Sequence, residues 1–119
     1  MSETDEQAQL RELRTTLGDA EFASFVEDFH LDARQRLARL RRGLAAGDPE
    51  GSREEAHALR GSALAVGSAL LAEACRGVEA ACRAEDVARA QALVPGVEAA
   101  LGHTRDRLDR ALSDGPGGS

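Results

Sequence analysis

Tryptophan and tyrosine are absent from this 119-residue chain, and phenylalanine occurs only three times. An interior so poor in rings and so rich in Ala and Leu suits close helix packing more than a sheet. β-branched residues are scarce and never alternate over a run, which removes the period-two signal of a strand. Lysine is missing as well. All 15 basic residues are arginine, set against 21 Asp and Glu for a formal net charge of −6. That balance argues against a nucleic-acid partner, which selects for a basic excess. No apolar run approaches the roughly 20 residues of a transmembrane helix, so no membrane span is expected. The segment from Met1 to Glu6 is acidic with no apolar stretch behind it, unlike a signal peptide. A cytoplasmic protein is therefore expected, with Cys75 and Cys82 as reduced thiols. Seven positions apart on one helix, these two are also too distant to bridge.

The length fits one compact domain. Five helical segments are predicted. The first runs from about Glu6 to Leu17 on a stripe of Leu10, Leu13 and Leu17, and Gly18 stops it. Asp19 is the expected N-cap of the second, whose Phe22, Phe25, Val26, Phe29, Ala33, Leu37, Leu40 and Leu44 keep a helical period throughout. Asp48-Pro49 supplies a cap and a first-turn proline for the third, although Ser52 and Glu55 also fit a capping box one turn later. The third segment should bury Ala56, Leu59, Ala63 and Val66 and stop at Gly67. The fourth runs from about Ser68 to Arg83 with Leu71, Ala74, Cys75, Val78 and Cys82 inward. The fifth starts near Glu85 or Asp86, and Pro95-Gly96 predicts a kink or a division into two helices. Short connections imply antiparallel neighbours. The expected fold is all-α, an antiparallel up-down four-helix bundle over residues 6–113 with an additional N-terminal helix, a flexible N-terminus at 1–5 and a flexible Gly/Pro tail at 114–119.

Chemistry concentrates in Ala56-His57-Ala58-Leu59-Arg60-Gly61-Ser62-Ala63. His57, Arg60 and Gly61 share one helix face, being three and four apart. A glycine inside a helix costs about 1 kcal/mol relative to alanine, so Gly61 calls for a reason. Helical side chains lean toward the N-terminus, so a side chain at 61 would lie over the turn that carries His57. Its absence leaves the imidazole open to something large. Glu79 is the second anomaly, a carboxylate at an inward position of the fourth segment, where it is costly unless paired. His57 lies ten residues before Gly67 and Glu79 twelve after it, which puts the two at about one height of a helical hairpin. Glu79 would then accept a hydrogen bond from one imidazole nitrogen and leave the other as a nucleophile. The alternative is a flank glutamate that reaches solvent or pairs with Arg76 or Arg83. Arg60 is placed to neutralise negative charge arriving at His57, as guanidinium does for phosphoryl oxygens; alone it could equally be a solvated helix charge.

From Ala56 to Arg83 the sequence resembles a histidine-containing phosphotransfer (HPt) domain. The matching positions are Ala56, His57, Leu59, Gly61, Ser62, Ala63, Gly67, Leu71, Cys75 and Glu79. A looser likeness extends over Phe25-Val26, Phe29 and Gly47-Asp48. Arg60 stands where the family usually has lysine, which keeps the charge but changes its shape. The resemblance implies a phosphorelay intermediate. His57 would accept a phosphoryl group from the aspartyl phosphate of a receiver domain or from a histidine kinase, and pass it to a response-regulator receiver. Glu79 would orient the imidazole, Arg60 would stabilise the phosphoryl charge, and Gly61 would permit close approach of the partner. No cofactor or metal of its own is implied, because the receiver supplies Mg²⁺, and a monomer without kinase activity is expected. The sequence has no Gly-rich nucleotide loop and no His-x-x-x-His spacing.

Two rivals keep the same bundle. One is a receiver-binding or sequestering module that is never phosphorylated. The other is a small enzyme using His57 and Glu79 as a general-base pair, which would require an enclosed polar pocket. Outside this region, Arg34, Arg36, Arg39, Arg41 and Arg42 suit the C-terminal half of a long helix through its dipole. Arg36 and Arg39 would in addition steer an acidic receiver face. Cys75 and Cys82 read as small core residues, and His30 and His103 as incidental.

Overall fold

The computed structural model describes residues 2–114, with side chains from residue 5 onward. Every element among the described residues is helical: α1 (Ser2–Leu17), α2 (Asp19–Ala45), α3 (Pro49–Ala65), α4 (Ala69–Arg83) and α5 (Val87–Ser113). Packing follows chain order. α3 lies between α2 and α4, α5 closes against α4 and α2, and α1 rests on α2 and α5. The core is the union of the inward stripes, with Phe22, Val26, Leu40, Leu59, Leu71, Val78, Val97 and Leu108 fully buried. At roughly 1.5–3 kcal/mol for each large apolar side chain removed from water, this shared interior is the main force holding the helices together.

Helix ends follow local chemistry. The Asp48 carboxylate accepts the Gly51 amide at 3.0 Å and Pro49 opens α3. The capping box at Ser52 is not used. Ser52 is fully buried inside α3, its hydroxyl donates to the Asp48 carbonyl at 2.7 Å, and it packs against Gly43 of α2, where a Cβ would stand 2.6 Å from its Oγ. The cap of α2 is Gly18 with φ of +87°, not Asp19. Only glycine adopts that turn readily, and it frees Asp19 for the first helical turn, where it takes an ion pair from Arg14 at 2.9 Å. α1 begins at Ser2, four residues before the expected start, and takes in most of the segment expected to be flexible. Asp5 and Glu6 suit that end of a helix through its dipole.

α5 runs through Pro95 as one helix, not two. Proline removes one amide donor, and packing of Val94, Val97 and Leu101 on both sides of it holds the helix line. Ala74 is only partly buried, as are Phe25, Leu13 and Leu17. The expected tail at 114–119 falls, after Asp114, outside the described residues. Asp114 itself ends α5, where the Arg14 guanidinium donates to its carbonyl and to that of Ala111, the latter at 2.7 Å. His30 and His103 take up structural contacts. His30 Nε2 meets Asp109 at 3.1 Å and so ties α2 to α5. His103 Nε2 lies 3.0 Å from the guanidinium of Arg107, whose ion pair with Glu6 ties α5 to α1.

Candidate functional site

α3 carries His57, Arg60 and Gly61, and α4 carries Glu79. The turn between them fixes their relative height. α3 ends at Ala65, Gly67 takes φ of +71°, and the Ser68 hydroxyl caps α4 by accepting the Leu71 amide at 3.3 Å. A second contact of that hydroxyl, with Thr104 at 2.8 Å, pins the turn to α5. The chain reverses within three residues, so α4 runs back along α3 and Glu79 arrives beside His57.

His57 Nδ1 stands 3.0 Å from Glu79 Oε1, and Arg60 Nε donates to Glu79 Oε2 at 2.5 Å. Exposure separates the partners sharply. The Glu79 side chain is 1% exposed, that of Arg60 25%, and that of His57 61%. Burial pushes the Glu79 carboxyl up. The hydrogen bonds from Arg60 and His57, with their charges, outweigh burial and hold it below the ordinary carboxylate value. Glu79 is thus a buried carboxylate at neutral pH. Beside an anion, His57 Nδ1 is the protonated nitrogen and donates, which leaves the lone pair on Nε2, the outward nitrogen of an exposed ring. Arg60 Nη2 lies 3.2 Å from the same Nδ1. As both are donors, that is proximity and not a hydrogen bond. Arg60 therefore grips the carboxylate with Nε while its outer nitrogens lie alongside the imidazole.

Gly61 is exposed, and a Cβ built there meets nothing within 4 Å. Among the described residues, nothing asks for glycine at this position.

A family model described as the Hpt domain matches residues 24–113. The chain belongs to the Hpt domain family. A crystal structure of histidine-containing phosphotransfer protein B (HptB) from Pseudomonas aeruginosa PAO1 superposes with a TM-score of 0.78 at 29% identity, covering 87% of this chain and 89% of that one. No curated protein matches the chain. Histidine phosphotransfer within a two-component phosphorelay is accordingly the role of this Hpt domain, a role that involves receiver domains and histidine kinases. α1 and the first turn of α2 lie outside the matched residues. No helix among the described residues is long and apolar enough to cross a membrane, and none of their His, Cys, Asp and Glu side chains gather in a group of three that could hold a metal ion.

Further contacts surround the site of this Hpt domain. Arg83 Nη2 approaches Glu79 Oε1 at 3.8 Å, whereas Arg76 turns to Glu73 at 3.7 Å. Arg36, expected to reach toward a partner, is held at 3.2 Å by both Asp32 and Glu55, and the Ser62 hydroxyl donates to Asp32 at 3.2 Å. That tie fastens the α2 flank of the site. The i, i+4 spacing of Asp32 and Arg36 was open to view, but Glu55 and Ser62 join only once α2 and α3 are paired.

Cys75 and Cys82 are free and buried. Burial pushes the Cys75 thiol to about 12, with the Glu79 charge adding to the rise. A thiol so far from its thiolate is a poor nucleophile. Iodoacetamide at pH 8 should leave both cysteines of the folded protein unmodified and alkylate both in denaturant, as read by intact mass.

Proposed function

We propose that this Hpt domain is a phosphocarrier without kinase activity. His57 takes a phosphoryl group from a receiver's aspartyl phosphate or from a histidine kinase and passes it to a response-regulator receiver. The observation that carries this reading is the exposed imidazole whose Nδ1 is held by a buried, ionised Glu79. In the forward step the Nε2 lone pair forms the N–P bond as the bond from phosphorus to the aspartyl oxygen breaks. The electron pair of that bond leaves with the aspartate, as a carboxylate. The ring keeps its Nδ1 proton and becomes cationic, and the adjacent Glu79 carboxylate stabilises that charge as it develops. Passing the group onward is the same step reversed.

Arg60 serves twice in this scheme. Its Nε fixes Glu79, and its outer nitrogens meet the phosphoryl oxygens beside the ring. Gly61 admits the partner's surface. Mg²⁺ stays with the receiver's acidic pocket, and this chain contributes no cofactor. The arrangement required is an antiparallel up-down bundle of α2 to α5 with α1 added, acting as a cytoplasmic monomer. Support for the antiparallel course comes from pairs such as Gly43 with Ser52 and Arg36 with Glu55, whose numbers rise along one helix as they fall along the other.

The test is phosphohistidine formation with phosphoramidate as donor, read by intact mass and acid lability. Wild type should gain one acid-labile phosphoryl group, and His57→Gln none, although His30 and His103 remain. Label that is absent, or shared among the three histidines, would replace this reading with a receiver-binding module that is never phosphorylated.

A further inference from the structure

Charge on α2 is sorted along its length. Residues 19–32 hold five acids and no arginine, and residues 33–45 hold five arginines and no acid. The helix dipole rewards such an order only in the first and last turns, and Asp28 and Arg39 lie beyond both. Sorting also forgoes the pairs that opposite charges four apart make along a helix. Among the described residues α2 keeps one of these, Asp32 with Arg36 at 3.2 Å, where the two halves meet. The same two residues reach α3. Asp32 accepts from Ser62 and Arg36 pairs with Glu55, each at 3.2 Å. His57 lies between Glu55 and Ser62 on α3. The change of sign on α2 is therefore level with His57.

One unpaired charge stands on each side of that level. Asp28 shares the groove between α2 and α3 with Ser62 and Ala65, past His57 toward the Gly67 turn. Arg39 follows Arg36 by three residues and so shares the flank that meets α3. It lies between Arg36, opposite Glu55, and Gly43, opposite Ser52, and so on the other side of His57. Asp28 and Arg39 are exposed, and neither has an ion pair among the described residues. Eleven residues apart, they form two poles separated by about 16 Å along the helix axis.

We infer that this flank of α2 orients the receiver: a receiver centred on His57 docks with negatively charged surface against Arg39 and positively charged surface against Asp28. This rests on the phosphocarrier reading and adds to it the charge pattern that a cognate receiver carries. Turned end for end, the same receiver would set like charges together at both poles, which costs encounter rate and affinity alike. The net charge of −6 cannot make that choice, because it acts the same on either orientation.

The experiment follows transfer from the full chain, phosphorylated with phosphoramidate, to one receiver domain. That receiver is the one, among those purified from the source genome, that takes the phosphoryl group from wild type fastest. Arg39→Glu combined with Asp28→Arg reverses both poles yet keeps the net charge, since the two changes cancel. Its second-order rate constant should fall at least about tenfold at about 20 mM salt, and come within about threefold of wild type at about 500 mM. Glu27→Arg combined with Arg34→Glu is the matched swap on the opposite flank, where Glu27 lines a groove with Leu112 of α5 and Arg34 follows it by two turns. That second swap should transfer within about twofold of wild type. Phosphoramidate labelling of both swapped chains should also stay within about twofold, because so small a donor does not span the poles. A wild-type transfer rate for the first swap at low salt would overturn the assignment. So would an equal loss in the second swap, a loss that ignores salt, or an equal loss of phosphoramidate labelling. Wild type that takes no label on His57, or yields none to any receiver, would instead refute the phosphocarrier reading itself.

Discussion

Glu79→Ala should label about a hundredfold more slowly than wild type with phosphoramidate, yet still label on His57. The nucleophile is untouched, but its orientation and its counter-charge are gone, and a misplacement of about 1 Å can alone cost a hundredfold. Without the carboxylate, the ring is free to rotate and to exchange tautomers, so Nε2 is presented with its lone pair only part of the time. The cationic ring formed on phosphorylation also loses its anionic neighbour. Glu79→Gln separates these contributions, because an amide oxygen still accepts from Nδ1 but carries no charge; its rate should fall between the other two. An unchanged rate in both variants would show that Glu79 serves the fold alone. Stability carries a second signature. The folded Glu79 titrates below its unfolded value of roughly 4.3, so its pairing stabilises the protein fully above that pH and is lost as pH falls through the folded value. The gap in urea midpoint between wild type and Glu79→Gln should therefore be wide at pH 7 and narrow below pH 4.

Gly61→Gln should separate two kinds of donor. A Cβ at 61 meets nothing within 4 Å, so the helix tolerates a side chain there and gains up to about 1 kcal/mol from the better helix former. A small donor still reaches Nε2, and phosphoramidate labelling should stay within about threefold of wild type. A receiver must bring an entire surface against α3, and the added side chain leans over the turn that carries His57. Transfer from a phosphorylated receiver should fall by about a hundredfold or more, the scale of a displaced reacting centre. Equal rates with both donors would remove the steric account of this glycine. Equal losses with both would place the obstruction at the imidazole itself.

Much of this was legible in the sequence because it depends on short-range spacing. The stripe from Phe22 to Leu44 and the Asp48-Pro49 start of α3 follow from helical period and cap chemistry. The nearness of His57 and Glu79 follows from counting to Gly67 in both directions, since a tight turn permits only one alignment. What escaped depends on competition between equally good local options. Ser52 could cap or be buried, and the approach of Gly43 decided for burial. Asp19 could cap α2, yet Gly18 reaches a backbone conformation that serves instead. Pro95-Gly96 reads as a break, but core contacts on both sides outweigh one missing hydrogen bond. Arg36 had an exposed alternative until Glu55 arrived from α3. Arg83 was open to view only as one of two partners for Glu79, and the looseness of its contact is a property of distance and not of sequence.

Arg14 of α1 donates to the Ala111 and Asp114 carbonyls at the end of α5. These are groups that a helix terminus leaves without partners of its own. The first helix of the chain therefore finishes the last one. In hydrogen exchange, the amides of α1 and of the final turn of α5 should open together, as a single cooperative unit less protected than α3 and α4. Arg14→Ala should loosen both ends of the chain at once while the amides around His57 keep their protection. Motion at the termini is thereby kept in one compartment, and His57 sits in the other.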